Sequence, residues 1–125
     1  MSKPVILLVD EDEKYLEKLE IKFVRELSTK AEIQIITRRE ILKEYFLVPR
    51  TIEILAISEK LYSEEVQKHN INHLFILRET GEKPVEEKKF ICYINKYIGI
   101  KEVYNELTYQ SIDCFKTRYS ICKEK

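Results

Sequence analysis

The chain has 125 residues, of which 44% are hydrophobic and 35% are charged. This length and composition suit one packed domain and are too apolar for a disordered chain. The 22 basic and 22 acidic side chains cancel, so no net charge attracts nucleic acid or an anionic membrane surface. We therefore expect no nucleic-acid partner.

Glycine and cysteine usage excludes further classes. Only Gly81 and Gly99 are present, whereas phosphate-cradling loops need several glycines at fixed spacing, which excludes a P-loop and a dinucleotide fingerprint. The three cysteines lack metal-ligand spacing, and no apolar run approaches the roughly 20 residues that cross a bilayer. We expect a cytoplasmic protein with reduced thiols and no membrane span.

The first half of the chain predicts alternating strands and helices. Residues 5–9 form an apolar strand, and the acidic cluster at 10–13 suits the start of a helix. Residues 33–36 predict a second strand, 39–46 a short helix ended by Pro49, and 52–57 a third strand. Between the first two strands, apolar residues recur every three or four positions and predict a long helix: Leu16, Leu19, Phe23, Val24 and Leu27.

The second half gives weaker signals. We expect a short helix over 63–68 capped by Ser63, a turn at 70–72, and a fourth strand at 74–77. The polar stretch at 79–89 has too few apolar positions for the helix expected before a fifth strand at 90–94. A last helix is predicted at 101–107, whereas 109–125 has no clear period and is expected to be a C-terminal extension or linker.

Short apolar strands that alternate with helices imply an α/β fold, a doubly wound parallel sheet with right-handed crossovers and helices on both faces. In such sheets functional groups collect beyond the carboxyl ends of the strands. The candidate site residues are therefore those that end the strands: Asp10, Glu11, Ser58, Arg78 and Lys96.

Three segments, VILLVDEDE, IEILAIS and YINK, resemble receiver domains of response regulators. They are similar to the first strand with its acidic pair, the third strand, and the strand that delivers a lysine. The resemblance covers residues 4–108 and implies a flavodoxin-like, CheY-like sheet of strand order 2-1-3-4-5, with the fourth helix short or missing. We assign residues 1–108 to an atypical receiver domain on this basis.

In a working receiver the acidic pair holds a divalent cation, an aspartate ending the third strand accepts the phosphoryl group, and a hydroxyl residue and a lysine read its charge. The resemblance places Asp10 and Glu11 at the acidic pair, as a weak Mg²⁺ site, and Lys96 at the lysine. The residues also allow a plainer interpretation, in which the acidic cluster compensates a helix dipole and Lys96 is a surface lysine or forms a structural ion pair with Asp10.

Two positions depart from the receiver pattern. Ser58 stands at the acceptor, and a serine cannot form an acyl phosphate, so no phosphorylation is expected there. Arg78 stands at the switch hydroxyl, which suggests a rewired switch. Glu59 offers an alternative in which its charge imitates a phosphorylated state, although it lies one residue beyond the acceptor.

The resulting hypothesis is a phosphorylation-independent pseudo-receiver for signal transduction, a protein interaction or dimerisation module without a catalytic site or a required cofactor. The face of helix 4, strand 5 and helix 5, which commonly mediates receiver docking, is altered here. Within the family, INKYIGIKEVYNEL is similar to the N-terminal receiver-like domain of TadZ/CpaE-type pilus-assembly ATPases. This similarity implies an alternative, the regulatory or localisation domain of a MinD/ParA-like ATPase; unconventional phosphorylation and a metabolite sensor also stay open.

Overall fold

The structure, a computed structural model, describes residues 3–27, 29–80 and 91–109. Within these ranges five strands form one parallel sheet in the order β2-β1-β3-β4-β5. The predicted fold class and strand order are confirmed. The strands are β1 (Val5–Val9), β2 (Glu32–Ile36), β3 (Thr51–Ser58), β4 (Asn70–Arg78) and β5 (Ile91–Asn95).

The helices that connect these strands are α1 (Glu13–Leu27), α2 (Arg39–Tyr45) and α3 (Ile100–Thr108), together with two short 3₁₀ helices at Glu64–Lys68 and Lys96–Ile98. None of them is long and apolar enough to span a membrane. The predictions for the missing helix before β5 and for the C-terminal tail fall mainly on residues 81–90 and 110–125, outside the described residues.

The sheet carries one apolar core on each face. On one face, Leu19 and Phe23 of α1 and Leu107 of α3 pack against the central strands, and the rings of Phe23 and Tyr104 meet edge to face at 4.8 Å. On the other face the core includes Leu42 of α2. Strands β1 and β3 are buried on both faces, which explains their continuous apolar sequences.

The start of α1 follows from the acidic cluster. The Oδ1 atom of Asp12 accepts the backbone N–H of Tyr15 at 3.1 Å, which is the geometry of a helix N-cap. Leu16, Leu19, Phe23 and Leu27 form the buried stripe, whereas Val24 is exposed although the sequence pattern included it. Val24 lies at the edge of the buried stripe, so its side chain is on the solvent-facing side of the helix.

Two predicted elements need correction. Strand β4 begins at Asn70, so the turn predicted at 70–72 is wrong. Asn70 lies opposite Thr51 in the ladder, and the Asn72 amide donates to the Glu53 carboxylate at 2.9 Å. These polar residues alternate with apolar ones along a strand, and their polarity was misread as a turn signal.

The segment Glu64–Lys68 is a 3₁₀ helix, and the predicted capping by Ser63 is also wrong. The Ser63 side chain makes no capping hydrogen bond; its backbone carbonyl accepts the N–H of Val66 at 3.1 Å. A segment of five residues fits the tighter helix, since its single buried side chain, Val66, anchors only one turn.

The central position of β3 predicts a large difference between two identical substitutions. Leu55→Ala removes a fully buried side chain from β3 and should lower the free energy of unfolding by about 3–5 kcal/mol. Leu47→Ala, in the loop after α2 where Leu47 is 79% exposed, should change it by less than about 0.5 kcal/mol. Urea denaturation followed by circular dichroism measures both; equal losses would contradict the position of β3.

Candidate functional site at the carboxyl edge of the sheet

A pocket of about 400 Å³ lies at the carboxyl edge of the sheet. Parallel strands bring their carboxyl ends to one edge, so residues that are distant in sequence share this wall. The polar lining comprises five acidic, two basic and two hydroxyl side chains: Asp10, Glu11, Asp12, Glu59, Glu79, Lys60, Lys96, Ser58 and Thr80. Four of the five candidate residues from the sequence are among them, and the pocket carries more acidic than basic groups.

Asp10 and Lys96 form a buried ion pair at the base of this pocket. The Nζ atom of Lys96 lies 2.8 Å from the Oδ2 atom of Asp10, and each residue is only 3% exposed. Asp10 follows β1 and Lys96 follows β5, and β3 and β4 lie between these strands in the sheet. Of the roles considered for Lys96, the surface lysine is therefore wrong and the structural ion pair is the one observed.

Further contacts compensate the burial of these two charges. The Oδ1 atom of Asp10 accepts the backbone N–H of Asp12 at 3.0 Å, so both carboxylate oxygens are engaged. The Lys96 ammonium lies 4.6 Å from the ring centre of Tyr15 and 5.6 Å from that of Tyr97. These distances are within the range of cation–π attraction, so the cation is held between one carboxylate and two aromatic rings.

Tyr15 lies against the ion pair from α1. Burial, with a smaller contribution from the negative charge of Asp10, raises the pKa of the Tyr15 phenol well above its ordinary value. Its hydroxyl is buried without a hydrogen-bond partner among the described residues. The raised pKa favours the neutral phenol, and the Tyr15 ring contributes its face to Lys96.

Ser58 ends β3, the strand next to β1, and is 6% exposed. Its Oγ atom is buried and has no hydrogen-bond partner in the described part of the chain. A buried hydroxyl without a partner is uncommon, because leaving it unsatisfied costs about 1–3 kcal/mol. Ser58 is thus the polar group of the pocket wall whose bonding is incomplete.

Arg78 lies beside the pocket and is not among the residues that line it. Its Nε atom is 3.1 Å from the Oε1 atom of Glu59, and its guanidinium lies 5.9 Å from the ring centre of Tyr93. Glu59 lines the pocket while one of its oxygens holds Arg78. The arginine at the end of β4 therefore neutralises part of the charge that Glu59 would otherwise present.

The structure adds Thr80, Lys60 and Glu79 to the residues considered from the sequence. Thr80, two residues beyond Arg78, is a hydroxyl residue of the pocket wall, and Lys60 and Glu79 in the same wall form an exposed ion pair at 3.6 Å. All three follow a strand end by two residues or fewer. A search that extended past the last strand residue would have found them.

The weak Mg²⁺ site expected at Asp10 and Glu11 stays a prediction. Mg²⁺ takes oxygen ligands in octahedral geometry, commonly one or two carboxylates together with water, and both oxygens of Asp10 already accept a hydrogen bond within the protein. Across the described residues, no group of three or more His, Cys, Asp or Glu side chains is placed to hold a metal ion. Neither His69 nor His73 lines this pocket. The Nδ1 atom of His69 accepts the N–H of Arg50, and His73 lies 3.7 Å from Glu53.

The fold resembles a known structure, although the sequence matches no family. No model of a known protein family matches this chain, and no curated protein sequence matches it significantly. Among solved structures, a response regulator receiver domain protein from Bacillus halodurans C-125 superposes with a TM-score of 0.68 at 15% identity, covering 86% of this chain and 97% of that chain. The chain therefore has the fold of a receiver domain.

The buried ion pair predicts a strong asymmetry between substitutions. Lys96→Met leaves the Asp10 carboxylate buried without its cation and should lower the free energy of unfolding by about 3–5 kcal/mol. Adding Asp10→Asn to Lys96→Met should recover part of that loss, because the unpaired charge is removed. Urea denaturation of the single and double variants measures both effects.

The matched control is Lys68→Met, which removes the exposed ion pair between Lys68 and Glu65 at 3.2 Å. It should cost less than about 1 kcal/mol, since water screens that pair. If Lys96→Met were as mild as Lys68→Met, the ion pair at the pocket base would not be buried in solution.

Proposed function

We propose that this chain is a phosphorylation-independent pseudo-receiver, a domain of receiver fold that acts by binding another protein or a second copy of itself. The observation that supports this most directly is Ser58 at the end of β3, in the wall of a pocket where Lys96 is already paired with Asp10. The proposal assigns the chain a role in bacterial signal transduction in the cytoplasm, without a catalytic activity of its own.

The chemistry of Ser58 argues against a phosphoryl switch. An acyl phosphate forms when a carboxylate attacks phosphorus, whereas a serine hydroxyl is a weak nucleophile until a neighbouring base removes its proton. The Oγ atom of Ser58 is buried, and the neighbouring Asp10 carboxylate is occupied by Lys96 and by the N–H of Asp12. The domain therefore lacks the acceptor chemistry of a receiver at this position.

The pairing of Lys96 supports the same conclusion. In the receiver pattern this lysine reads the charge of the phosphoryl group, and here its ammonium is already neutralised by Asp10 at 2.8 Å in a buried site. A newly added anion would have to separate this pair, which costs several kcal/mol when the partner carboxylate stays buried. Under this proposal, Lys96 keeps Asp10 as its partner and does not take part in a conformational switch.

A binding surface is available next to the pocket. Tyr97 and Ile98, which follow Lys96, are 62% and 44% exposed. Gly99 then adopts a φ of +118°, a conformation that favours glycine and turns the chain into α3. Tyrosine is enriched at protein interfaces and among their hot spots, and Tyr97 and Ile98 lie on the β5–α3 side of the domain.

The resemblance of INKYIGIKEVYNEL to TadZ/CpaE-type proteins supports an alternative proposal, in which the chain is the regulatory or localisation domain of a MinD/ParA-like ATPase. This segment covers the end of β5, the 3₁₀ helix and α3. Unconventional phosphorylation is a competing proposal, for which Glu59, a half-exposed carboxylate in the pocket wall, is the group to test.

The absence of a phosphoryl switch can be tested directly. Beryllofluoride with Mg²⁺ should leave the amide spectrum of the ¹⁵N-labelled protein unchanged, and acetyl phosphate should add no phosphoryl group by intact mass. A receiver with its aspartate intact serves as the positive control. A phosphoryl adduct would contradict the proposal; its loss in Glu59→Gln but not in Glu79→Gln would identify Glu59 as the acceptor.

Self-association through the β5–α3 side gives a second test. Sedimentation equilibrium should show a mass that rises with concentration, and Ile98→Ser should weaken the association by about five- to tenfold, as expected for an apolar interface residue. Ile41→Ser on α2 is the matched control, because Ile41 is 45% exposed but lies on the other face of the sheet. If the protein sedimented as a monomer at every concentration, self-association would be excluded and the proposed partner would be a different protein.

A further inference from the structure

We infer that two copies of this chain pair through their β2 strands, which run antiparallel across a two-fold axis and join the two sheets into one. The inference rests on the proposed function in one respect: it takes the domain to act by binding protein. It concerns the edge of the sheet opposite to the β5–α3 side, since β2 and β5 are the two ends of the strand order β2-β1-β3-β4-β5.

The outer backbone groups of β2 face no other strand in the described ranges, where β2 pairs with β1 alone. The N–H of Glu32 donates to the carbonyl of Pro4, and the carbonyl of Ile36 accepts the N–H of the residue that follows β1. Alternate residues of β2 therefore turn their backbone groups toward β1. The N–H and C=O groups of Ile33 and Ile35 point outward, where they form a template for another strand.

Strand β2 lacks several of the features that usually protect an edge strand. Its register with β1 is continuous from Glu32 to Ile36, so no bulge twists the strand away. The segment 32–38 contains no proline and no lysine. The backbone is still extended at Arg38, with a φ of −131° and a ψ of 140°, so the open edge continues beyond the last residue of β2. Such an edge favours the addition of a strand.

Apolar side chains flank this edge on the face of the sheet that carries α1. Ile33 and Ile35 are only partly buried against the core on that face. Val24 is 42% exposed and lies about 200° around α1 from Lys22, whose ammonium contacts the Tyr104 ring of α3. Val24 therefore lies on the side of α1 that is turned away from α3, toward β2. In the pair, these apolar side chains are covered by the same side chains of the other copy.

The charges along β2 select a second copy as the partner. When Ile35 lies opposite its own copy on the two-fold axis, Glu32 of each copy lies opposite Arg38 of the other, because both are three residues from Ile35. Glu32 and Arg38 are exposed, and Arg38 contacts only Glu40 in an exposed ion pair at 3.0 Å, which costs little to exchange. Opposite charges that face each other across antiparallel strands stabilise the pairing. The edge is thus complementary to itself, as an isologous dimer requires.

The experiment reverses these charges in the full chain and measures association by sedimentation equilibrium. It is carried out in the Ile98→Ser background, which weakens any association through the β5–α3 side, so the dimer that remains reports on β2. Glu32→Arg and Arg38→Glu should each weaken this dimer by about tenfold or more, because like charges then meet at two symmetry-related places. The double variant should recover the dimer, and a mixture of the two single variants should form a heterodimer.

The matched control is Lys68→Glu, which reverses a charge that is equally exposed but lies on the 3₁₀ helix before β4. It should leave the association unchanged. Circular dichroism of each variant checks the fold, which the exposed positions of Glu32 and Arg38 should preserve.

Three results would overturn the inference: a monomer at every concentration in the Ile98→Ser background, single reversals that associate as tightly as their parent, or a double variant that stays as weak as the single ones. Each of them leaves the proposed function standing, with the β5–α3 side or another protein as its basis. Conversely, a response to beryllofluoride would remove the pseudo-receiver proposal without changing the outcome of the charge reversals.

Discussion

The buried ion pair between Asp10 and Lys96 is the constraint on which the carboxyl edge of this domain depends. It joins the end of β1 to the end of β5 across two intervening strands. Both charges are removed from water, so each needs full compensation from its surroundings. The N–H of Asp12 and the rings of Tyr15 and Tyr97 contribute to it.

The same pair decides what the pocket can do. Because Asp10 and Lys96 neutralise each other, the charge of the pocket lining comes from its other charged residues, which are four acidic residues and Lys60. Ser58 lies in the same wall with an unsatisfied hydroxyl, and Arg78 is drawn to Glu59 beside the pocket. A receiver fold is thus combined with a pocket in which the lysine that follows β5 is already paired.

The sequence predicts several features of the fold because each of them depends on residues that are close together in the chain. The continuous apolar residues of β1 and β3 reflect burial on both faces of a parallel sheet, and the stripe of α1 reflects burial on one. The errors arose where polar residues serve long-range contacts. Asn72 looks like a turn residue until its amide is seen to donate to Glu53 of the neighbouring strand.

The sequence by itself determined the alternation of strands and helices and the candidate residues at the strand ends. It also shows that position 58, at the end of β3, carries a serine and not a carboxylate. The tertiary structure decided which of these residues meet. Lys96 and Asp10 are 86 residues apart, and no local pattern distinguishes a lysine in a buried pair from one in solvent. Arg78 lies beside the pocket, where its guanidinium contacts Glu59, 19 residues away in the sequence. Packing of the whole sheet brings such charged partners together, and this selection has no local signature.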